Sequence, residues 1–223
     1  MRDEPSPRQA TTSDLQAAIV PVTPFEQNCT LLWDTASKIG AVVDPGGDVA
    51  RIEAAIAEVG MTVEKIILTH GHIDHVGGAA ELAAKLGVAI EGPHEADRFL
   101  MEGVEKQAAS YGLQGLRNAT SDRWIGEGDT VTVAGHTFET FHCPGHSPGS
   151  IVYFNRQQRF ALVGDVLFQN SIGRTDFPYG DHDALIAAIK TKLLPLGDDI
   201  AFICGHGPTS TFGDERRSNP FIA

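Results

Sequence analysis

The sequence has few cysteines, few basic residues and no long apolar run, and each shortage excludes a class of protein. The three cysteines, Cys29, Cys143 and Cys204, are an odd number without tight spacing, so they do not form the disulfide framework of a small secreted domain. No stretch approaches the roughly 18 apolar residues of a membrane span, and the polar N-terminus lacks the apolar centre of a secretory signal. We therefore expect a cytoplasmic protein, with residues 1–13 as a flexible tail.

Basic residues are scarce relative to acidic ones: 17 Lys and Arg stand against 29 Asp and Glu, which gives a formal net charge of −12. A nucleic-acid backbone requires a cationic face, and an anionic membrane surface does too, so we expect neither partner. The 223 residues exceed a common domain of ~150 residues by about half, and 42% of them are hydrophobic, as in ordinary globular proteins. We expect one domain over residues 14–223.

Short β-branched runs between Gly, Pro and Asp turns predict strands. Some of these strands form antiparallel hairpins, and others alternate with helices. Two hairpins are predicted at 130–141 and 151–163, and the helix over 95–109 suits either a core position or a lid. Two sheets with helices on their outer faces account for this order of elements. The other predicted strands are 17–22, 29–33, 41–43, 65–68, 88–90 and 200–204, and the other predicted helices are 49–59, capped by Asp48, 77–86 and 183–193.

The densest chemistry lies in Thr69–His75, directly after an apolar run. Three histidines and one aspartate, His70, His72, Asp74 and His75, occupy six positions there. In a strand, His70 and His72 point the same way because the side-chain period is two, and a turn into the next helix brings Asp74 and His75 back to the strand end. Imidazole and carboxylate suit zinc, iron or manganese. Four such groups in so short a segment favour a metal site over a helix-capping aspartate beside surface histidines.

Three later strand ends each present one more residue of ligand type. His146 lies in a loop rich in Pro and Gly, Asp165 follows the apolar strand 160–164, and His206 stands between two glycines after an apolar run. A carboxylate at a buried strand end needs a partner, and a metal ion is a suitable one. Each segment alone also fits an ordinary turn, but the four strand ends together predict a metal centre.

These segments resemble the metallo-β-lactamase superfamily, whose signature is HxHxDH followed by distant His, Asp and His. The resemblance covers nearly the whole chain and points to the short bacterial branch of the glyoxalase II-like (hydroxyacylglutathione hydrolase-like) enzymes. It implies an α/β (α+β) fold, an αβ/βα four-layer sandwich of two mixed sheets with helices on the outer faces. The segments that carry the narrower resemblance are 164–168, 173–178, 205–211 and 215–221.

The resemblance also implies a centre with two divalent metal ions. Zinc is the first expectation, with iron and manganese as alternatives, and Asp74 and Asp165 are the expected catalytic carboxylates. Cys143 and Cys204 lie near ligands in the sequence, and we expect both to pack in the core. The ligands carried over from the family pattern are His70, His72 and His146 for the first metal, Asp74, His75 and His206 for the second, and Asp165 for both.

Such a centre predicts a metal-dependent hydrolase. Two cations close together lower the pKa of a shared water and produce hydroxide near neutral pH, and a metal stabilises the oxyanion that develops on the attacked carbonyl. A thioester suits this chemistry because its thiolate leaves readily, and the resemblance implies that the metal-bridged hydroxide cleaves a small-molecule thioester similar to S-lactoylglutathione. Ser147 lies beside His146 but lacks an orienting acid, so we expect it to make a loop hydrogen bond.

Two departures from the family pattern bear on the substrate. Seventeen residues follow His206, so we expect the C-terminal helical extension with which full-length glyoxalase II enzymes bind glutathione to be missing, and glutathione recognition to be weak. Ser150 stands where many relatives have a histidine that is not a ligand. Arg174 and Asp176 are the candidate substrate contacts, although a mutual ion pair is our first interpretation. The sequence gives no indication of the oligomeric state.

Two other functions fit parts of the pattern. Persulfide dioxygenases resemble the chain as well, including the segment 173–177, and they hold one iron with two histidines and one aspartate, which here are His70, His146 and Asp165. The loop 205–208 and the tail 219–221 favour the hydrolase. A metal-storing module without activity is the third alternative, but a metal site with an open face argues against it.

Overall fold

The computed structural model describes residues 14–222, and the predicted tail 1–13 lies outside them. Their strands form two mixed sheets and a short ribbon. The first sheet has the order β1-β2-β3-β4-β5, in which β1, β2 and β3 are antiparallel and β3, β4 and β5 are parallel. Its strands are β1 (Leu15–Val22), β2 (Gln27–Asp34), β3 (Ile39–Val43), β4 (Thr62–Ile67) and β5 (Ala89–Glu91).

The second sheet is built mainly from the two predicted hairpins. Both hairpins are present, as the antiparallel pairs β6–β7 and β8–β9. The sheet order is β13-β12-β9-β8-β7-β6, and β9 and β12 form its parallel pair, so their carboxyl ends meet at one edge. The strands are β6 (Thr130–Val133), β7 (His136–His142), β8 (Ile151–Asn155), β9 (Phe160–Gly164), β12 (Ala201–Cys204) and β13 (Ser210–Thr211), and β10 (Leu167–Phe168) with β11 (Ser171–Ile172) form the ribbon.

Helices cover the outer face of each sheet. In the described part of the chain, no helix has the length and apolar character that crossing a bilayer requires. The α-helices are α1 (Val49–Val59), α2 (Ile73–Val76), α3 (Ala79–Leu86), α4 (Arg98–Met101), α5 (Val104–Tyr111), α6 (His182–Ala188) and α7 (Phe212–Ser218), with 3₁₀ turns at Glu95–Asp97 and Leu194–Leu196 and a π-turn at Ile189–Leu193.

Three apolar clusters separate the four layers and explain the nearly continuous hydrophobic strands. Ile66 and Ile67 of β4 face opposite clusters, as do Tyr153 and Phe154 of β8, because successive side chains of a strand point to opposite faces. Strands with both faces covered are expected to be apolar at every position. The predicted four-layer sandwich is therefore confirmed. Between the sheets lie Leu32, Val43, Ile67, Phe138 and Tyr153; Ile52 and Leu82 pack on the first sheet, and Leu185, Ile189 and Phe212 pack on the second.

Two details of the predicted helices are wrong. The helix expected over 95–109 is interrupted, because the chain forms the 3₁₀ turn Glu95–Asp97 and α4, and then restarts as α5 with Gly103 at its N-cap. Asp48 precedes α1, but its side chain makes no cap hydrogen bond. It accepts the N–H of Thr23 at 2.7 Å instead, which ties the β1–β2 turn to the start of the helix.

Candidate metal centre

The four strand ends singled out in the sequence meet at one edge of the sandwich. The first segment leaves β4 of the first sheet and turns into α2, while the other three follow β7, β9 and β12 of the second sheet. The phenol of Tyr153 on β8 donates to the carbonyl of Leu68 at 2.8 Å and so joins the second sheet to the start of the histidine segment. The fold thereby brings the seven predicted ligands together at this edge, as two groups of three with Asp165 beside both.

Three histidines form the first donor group, which we define as His70, His72 and His146. His70 Nε2 lies 3.1 Å from His72 Nδ1, and that atom lies 2.9 Å from His146 Nε2. All three rings are buried. Their nitrogen atoms converge at distances that suit shared coordination of one cation.

The second donor group combines a carboxylate with two imidazoles, and we define it as Asp74, His75 and His206. Asp74 Oδ2 is 3.1 Å from His206 Nε2 and 3.9 Å from His75 Nε2. The donor atoms of the three residues lie within 4.8 Å of one another. The group is more open than the first, because the His206 side chain is 29% exposed.

Asp165 lies between the two donor groups. Its Oδ2 is 3.4 Å from His146 Nε2 and 3.7 Å from His206 Nε2, and its Oδ1 is 3.3 Å from His75 Nε2. Gly205 backs this carboxylate so closely that a Cβ there would lie only 2.0 Å from Asp165 Oδ1. This position is the one that a bridging ligand would occupy.

In the first donor group, the ring nitrogen that points away from the centre has a protein partner. His146 Nδ1 donates to the main-chain carbonyl of Arg174 at 2.9 Å, His72 Nε2 lies 2.9 Å from the Tyr179 hydroxyl, and His70 Nδ1 lies 3.1 Å from Thr69 Oγ1. Burial raises the pKa of Tyr179 to about 12, so its hydroxyl stays protonated at neutral pH.

The second donor group is anchored in the same way. His75 Nδ1 lies 2.8 Å from Asp44 Oδ2, and His206 Nδ1 donates to the carbonyl of Phe25 at 3.1 Å. A neutral imidazole has one N–H. When that proton is on the outward nitrogen, the inward nitrogen presents a lone pair. The outer partners thus hold the five rings in orientations from which the inward nitrogen of each neutral imidazole can bind a metal.

The electrostatics differ between the two donor groups. Burial and the neighbouring His146 lower the pKa of His72 to about 3, and burial also holds the pKa of His70 well below its usual range. Burial opposes a charge on His75 and His206 as well, but the facing carboxylates outweigh it and raise the pKa of both. The rings of His70 and His72 are therefore neutral, whereas the carboxylates that face His75 and His206 favour a positive charge at those rings, which a bound cation would supply in place of the protons.

The carboxylates of the centre remain ionised. Burial opposes the charge of Asp165, but His75 and His146 hold its pKa well below the usual range, and Asp74 is shifted downwards by His75 and His206 despite its burial. Ionised carboxylates and imidazole lone pairs are the donors that divalent transition metals and zinc prefer.

Two buried polar atoms test whether these residues fit a metal. His75 Nε2 and Asp165 Oδ1 are both buried and face each other at 3.3 Å, yet neither makes a hydrogen bond to the other or to any other described residue. An unsatisfied buried polar atom costs free energy, and a cation between a lone pair and a carboxylate oxygen would remove that cost. The donor set therefore fits two metal positions, one at each donor group with Asp165 between them.

A cavity of about 470 Å³ opens onto the centre. His72, Asp74, His146, Asp165 and His206 form its polar floor. A second cavity of about 560 Å³ lies near the starts of α1 and α3, away from all seven donor residues. We assign the site to the smaller cavity because only it contains the convergent donors. Its walls are formed by Phe25, Ile73, Gln107, Tyr111, Phe168, Ser171, Ile172, Arg174 and Phe177.

The predicted substrate contacts form the ion pair that was our first interpretation. Arg174 Nε and one terminal nitrogen donate to the two carboxylate oxygens of Asp176, each at 2.7 Å. The guanidinium lies 4.5 Å from the centre of the Phe177 ring, and Arg174 lines the cavity. The pair thus shapes the loop after β11, and a role of Arg174 in substrate binding stays a prediction.

The residues expected to be structural are accounted for by packing and local bonds. Cys143 and Cys204 are buried in the apolar cluster of the second sheet, and burial raises their thiol pKa values to about 12 and about 11. Ser147 donates to Asp97 at 2.7 Å rather than to His146, so it makes the predicted loop contact. Neither thiol is a nucleophile at neutral pH.

Three residues around the centre were not predicted: Asp44, Asp97 and Tyr179. Asp44 ends β3 and accepts from the Thr69 N–H and hydroxyl as well as facing His75. A signal for Asp44 was present, because it is a carboxylate at the end of an apolar strand, like Asp165. Asp97 and Tyr179 carried no such signal, since one lies in a polar helical segment and the other in a loop.

Comparisons with known proteins agree with this geometry. The profile of the Metallo-beta-lactamase superfamily matches residues 22–206. The hydroxyacylglutathione hydrolase GloC of Haemophilus influenzae is 48% identical over 205 residues, which cover 92% of this chain and 96% of GloC. The mitochondrial persulfide dioxygenase ETHE1 of Mus musculus is 29% identical over 202 residues, covering 87% of this chain and 72% of that protein.

Two solved structures are similar over nearly their whole length. The crystal structure of the BLEG-1 B3 metallo-β-lactamase has a TM-score of 0.85 and 33% identity, and the match covers 93% of this chain and 99% of that one. The crystal structure of TTHA1623 in a di-iron-bound form has a TM-score of 0.81 and 34% identity, with coverage of 92% and 99%. The resemblance inferred from the motifs is therefore confirmed.

Proposed function

The chain belongs to the metallo-β-lactamase superfamily and is an enzyme of its metallo-hydrolase fold, and on that premise we propose that it hydrolyses a thioester of the S-lactoylglutathione type. The observation that carries this proposal is the convergence of five imidazoles and two ionised carboxylates, of which His72, Asp74, His146, Asp165 and His206 form the floor of one cavity. The similarity to GloC supports the substrate class, because the name of that relative specifies a hydroxyacylglutathione.

We propose that the seven converging residues hold two metal ions, with His70, His72 and His146 at one, Asp74, His75 and His206 at the other, and Asp165 at both. When bound, such ions would activate water and polarise a carbonyl as Lewis acids. Zinc is the proposed metal. The di-iron form of TTHA1623 supports iron as an alternative, and the same donors accept manganese.

The chain's own groups have two tasks in this reaction. The outer partners, such as the Arg174 carbonyl and Asp44, keep the histidine rings oriented. Asp74 and Asp165 line the cavity as ionised carboxylates, so they lie where water and substrate meet and can accept a proton from water. The water oxygen then bonds to the acyl carbon, the carbon–sulfur bond breaks, and the proton passes to the departing thiolate.

The remaining assignments are proposals of the same kind. We propose that residues 14–223 form one domain, which the three apolar clusters shared between the sheets and their helices support for the described residues. We also propose a small-molecule substrate and a cytoplasmic location. The location is supported by three free, buried cysteines, which need no oxidising compartment.

The function is tested by removing the metal and then restoring it, with hydrolysis of S-lactoylglutathione as the assay. We expect protein from metal-replete medium to contain about two metal ions per chain, to lose hydrolysis on chelation, and to regain it with zinc, iron or manganese. Ser150→Ala is the matched control, because the Ser150 hydroxyl contacts only Ser147 among the side chains near the centre. Full activity of the metal-free protein, or one metal per chain that never increases, would contradict the proposal.

Persulfide dioxygenase is the second candidate, favoured by the similarity to the mouse enzyme. That activity needs one iron with two histidines and one carboxylate, which leaves His72, Asp74, His75 and His206 without a place at the iron. The convergence of Asp74, His75 and His206 as a second donor group supports the hydrolase instead. Oxygen uptake with glutathione persulfide separates the two functions, and we expect none. Steady uptake with one iron per chain would establish the dioxygenase.

A further inference from the structure

A buried carboxylate outside the seven donor residues connects two of the ligand segments. Asp97 ends the 3₁₀ turn Glu95–Asp97 and is 0% exposed. Its Oδ2 accepts the N–H of Gly71 at 2.8 Å and the hydroxyl of Ser147 at 2.7 Å, and its Oδ1 accepts the N–H of Gly149 at 2.6 Å. Burying a carboxylate is costly unless donors compensate it, and three donors compensate this one.

The donors belong to segments of different origin. Gly71 lies between His70 and His72, in the segment that follows β4 of the first sheet, whereas Ser147 and Gly149 lie in the β7–β8 connection of the second sheet, directly after His146. One carboxylate therefore joins the two segments that supply the first donor group.

Both loops approach Asp97 so closely that Gly71 and Gly149 leave no room for a side chain. A Cβ on Gly149 would lie 2.5 Å from Asp97 Cγ, and a Cβ on Gly71 would lie 2.9 Å from Asp97 Cβ. Both loops thus approach the carboxylate by their main chains. Such an approach fixes the position of each loop more firmly than a contact between flexible side chains would.

We propose that Asp97 is a positioning residue that sets the spacing of the first donor group, an inference that rests on the proposed metal centre. Without the carboxylate, two main-chain N–H groups lose their acceptor and the two loops are free to separate. The second donor group does not depend on Asp97, because its outward nitrogens bond to Asp44 and to the Phe25 carbonyl. The effect of removing the charge is therefore selective for one metal position.

The test compares Asp97→Asn with the wild type by metal titration against a chelator. We expect one metal equivalent to keep wild-type affinity and the other to bind about 10- to 100-fold more weakly, the range for partners that orient ligands. Asp122→Asn is the matched control, because Asp122 also accepts a main-chain N–H, that of Ile90 at 2.8 Å, but touches no ligand loop. We expect it to keep both affinities.

Ser147→Ala provides a milder variant, since it removes one of the three donors and leaves both main-chain contacts. We expect a smaller weakening of the same equivalent, and this variant decides the question if Asp97→Asn does not fold. Equal weakening of both equivalents, or unchanged affinities with a lower unfolding temperature of the metal-free protein, would overturn the positioning role. A wild type that binds one metal would instead overturn the dinuclear proposal, and the Asp97 effect would then be measured on that single equivalent.

Discussion

The two sheets contribute to the same centre in different ways. The segment after the first sheet supplies four of the seven donor residues within six positions, His70 to His75, and α2 folds them back on the strand end. The second sheet supplies three donors, His146, Asp165 and His206, from three separate strand ends. The first set is close together already in the chain, whereas the second set is brought together only when β7, β9 and β12 lie in register. The comparison indicates that the contribution of the second half depends more strongly on tertiary structure.

Removing Asp165 should have the largest effect, because it contacts donors from both halves. Asp165→Ala removes the carboxylate between the two donor groups, so less negative charge is left to balance the charge of the bound metal ions. We expect hydrolysis to fall by more than about 100-fold, beyond the usual effect of partners that only orient a ligand, with loss of at least one metal. Elemental analysis and a thioester assay measure both effects. If the variant kept both metals and most of its rate, the centre would have to be redrawn.

Substituting one histidine from each half compares the halves directly. His75 and His206 belong to the same donor group but come from the first and the second sheet, so His75→Ala and His206→Ala should each remove one metal and lower hydrolysis together. Metal content and rate are measured on the same preparations. Loss of metal from only one variant would show that the halves contribute unequally, and full retention in both would favour the mononuclear alternative.

Removing the hydroxyl that supports His72 should have a smaller effect. This hydroxyl belongs to Tyr179, which lies in the second half of the chain. Tyr179→Phe keeps the ring, which stacks on Phe177, and removes only the hydroxyl that faces His72 Nε2. We expect metal affinity to fall by about 10-fold, the lower end for such partners, without a change in fold. Chelator competition measures the affinity, and Tyr111→Phe serves as a control, because Tyr111 lines the cavity without a bond to a donor residue. Equal affinities of the Tyr179 variant and the wild type would contradict this role.

The smallest effect is expected on stability, from a contact between Asp34 and His136 that joins the two halves away from the metal centre. Asp34 at the end of β2 accepts from Ser37 and faces His136 Nε2 of β7 at 3.1 Å, and these bonds, led by the Ser37 N–H, lower the pKa of Asp34 to about 2. Asp34→Asn should reduce the free energy of unfolding by about 1 to 2 kcal/mol at neutral pH and leave metal content unchanged.

The pH dependence of that difference follows from the direction of the shift. Because the folded pKa is below the unfolded value of about 3.9, the stabilisation is complete above the unfolded pKa and is lost as the pH falls through about 2. Denaturant unfolding of both proteins between neutral and acidic pH measures it. A difference that stayed constant down to pH 2 would show that the charge of Asp34 is not its cause.

Much of the fold could be predicted because strand and turn patterns are local. The hairpins of the second sheet were predicted from β-branched runs and turn residues, and both are present. The helix over 95–109 was predicted wrongly, since its apolar pattern continues through Gly103, where the chain restarts as α5. The short elements β10, β11 and β13 were not predicted, because two-residue pairs depend on the strands that they meet.

By itself, the sequence determined the superfamily and the identity of the seven converging residues. Histidines and aspartates seldom cluster so closely in a sequence, and the positions of these residues follow from strands that end in loops. Only the tertiary structure decided which groups support them. Asp97 reaches Ser147 across 50 positions and Tyr179 reaches His72 across 107. Aspartate and tyrosine are common residues whose role here arises from burial and proximity, and neither property is encoded by neighbours along the chain.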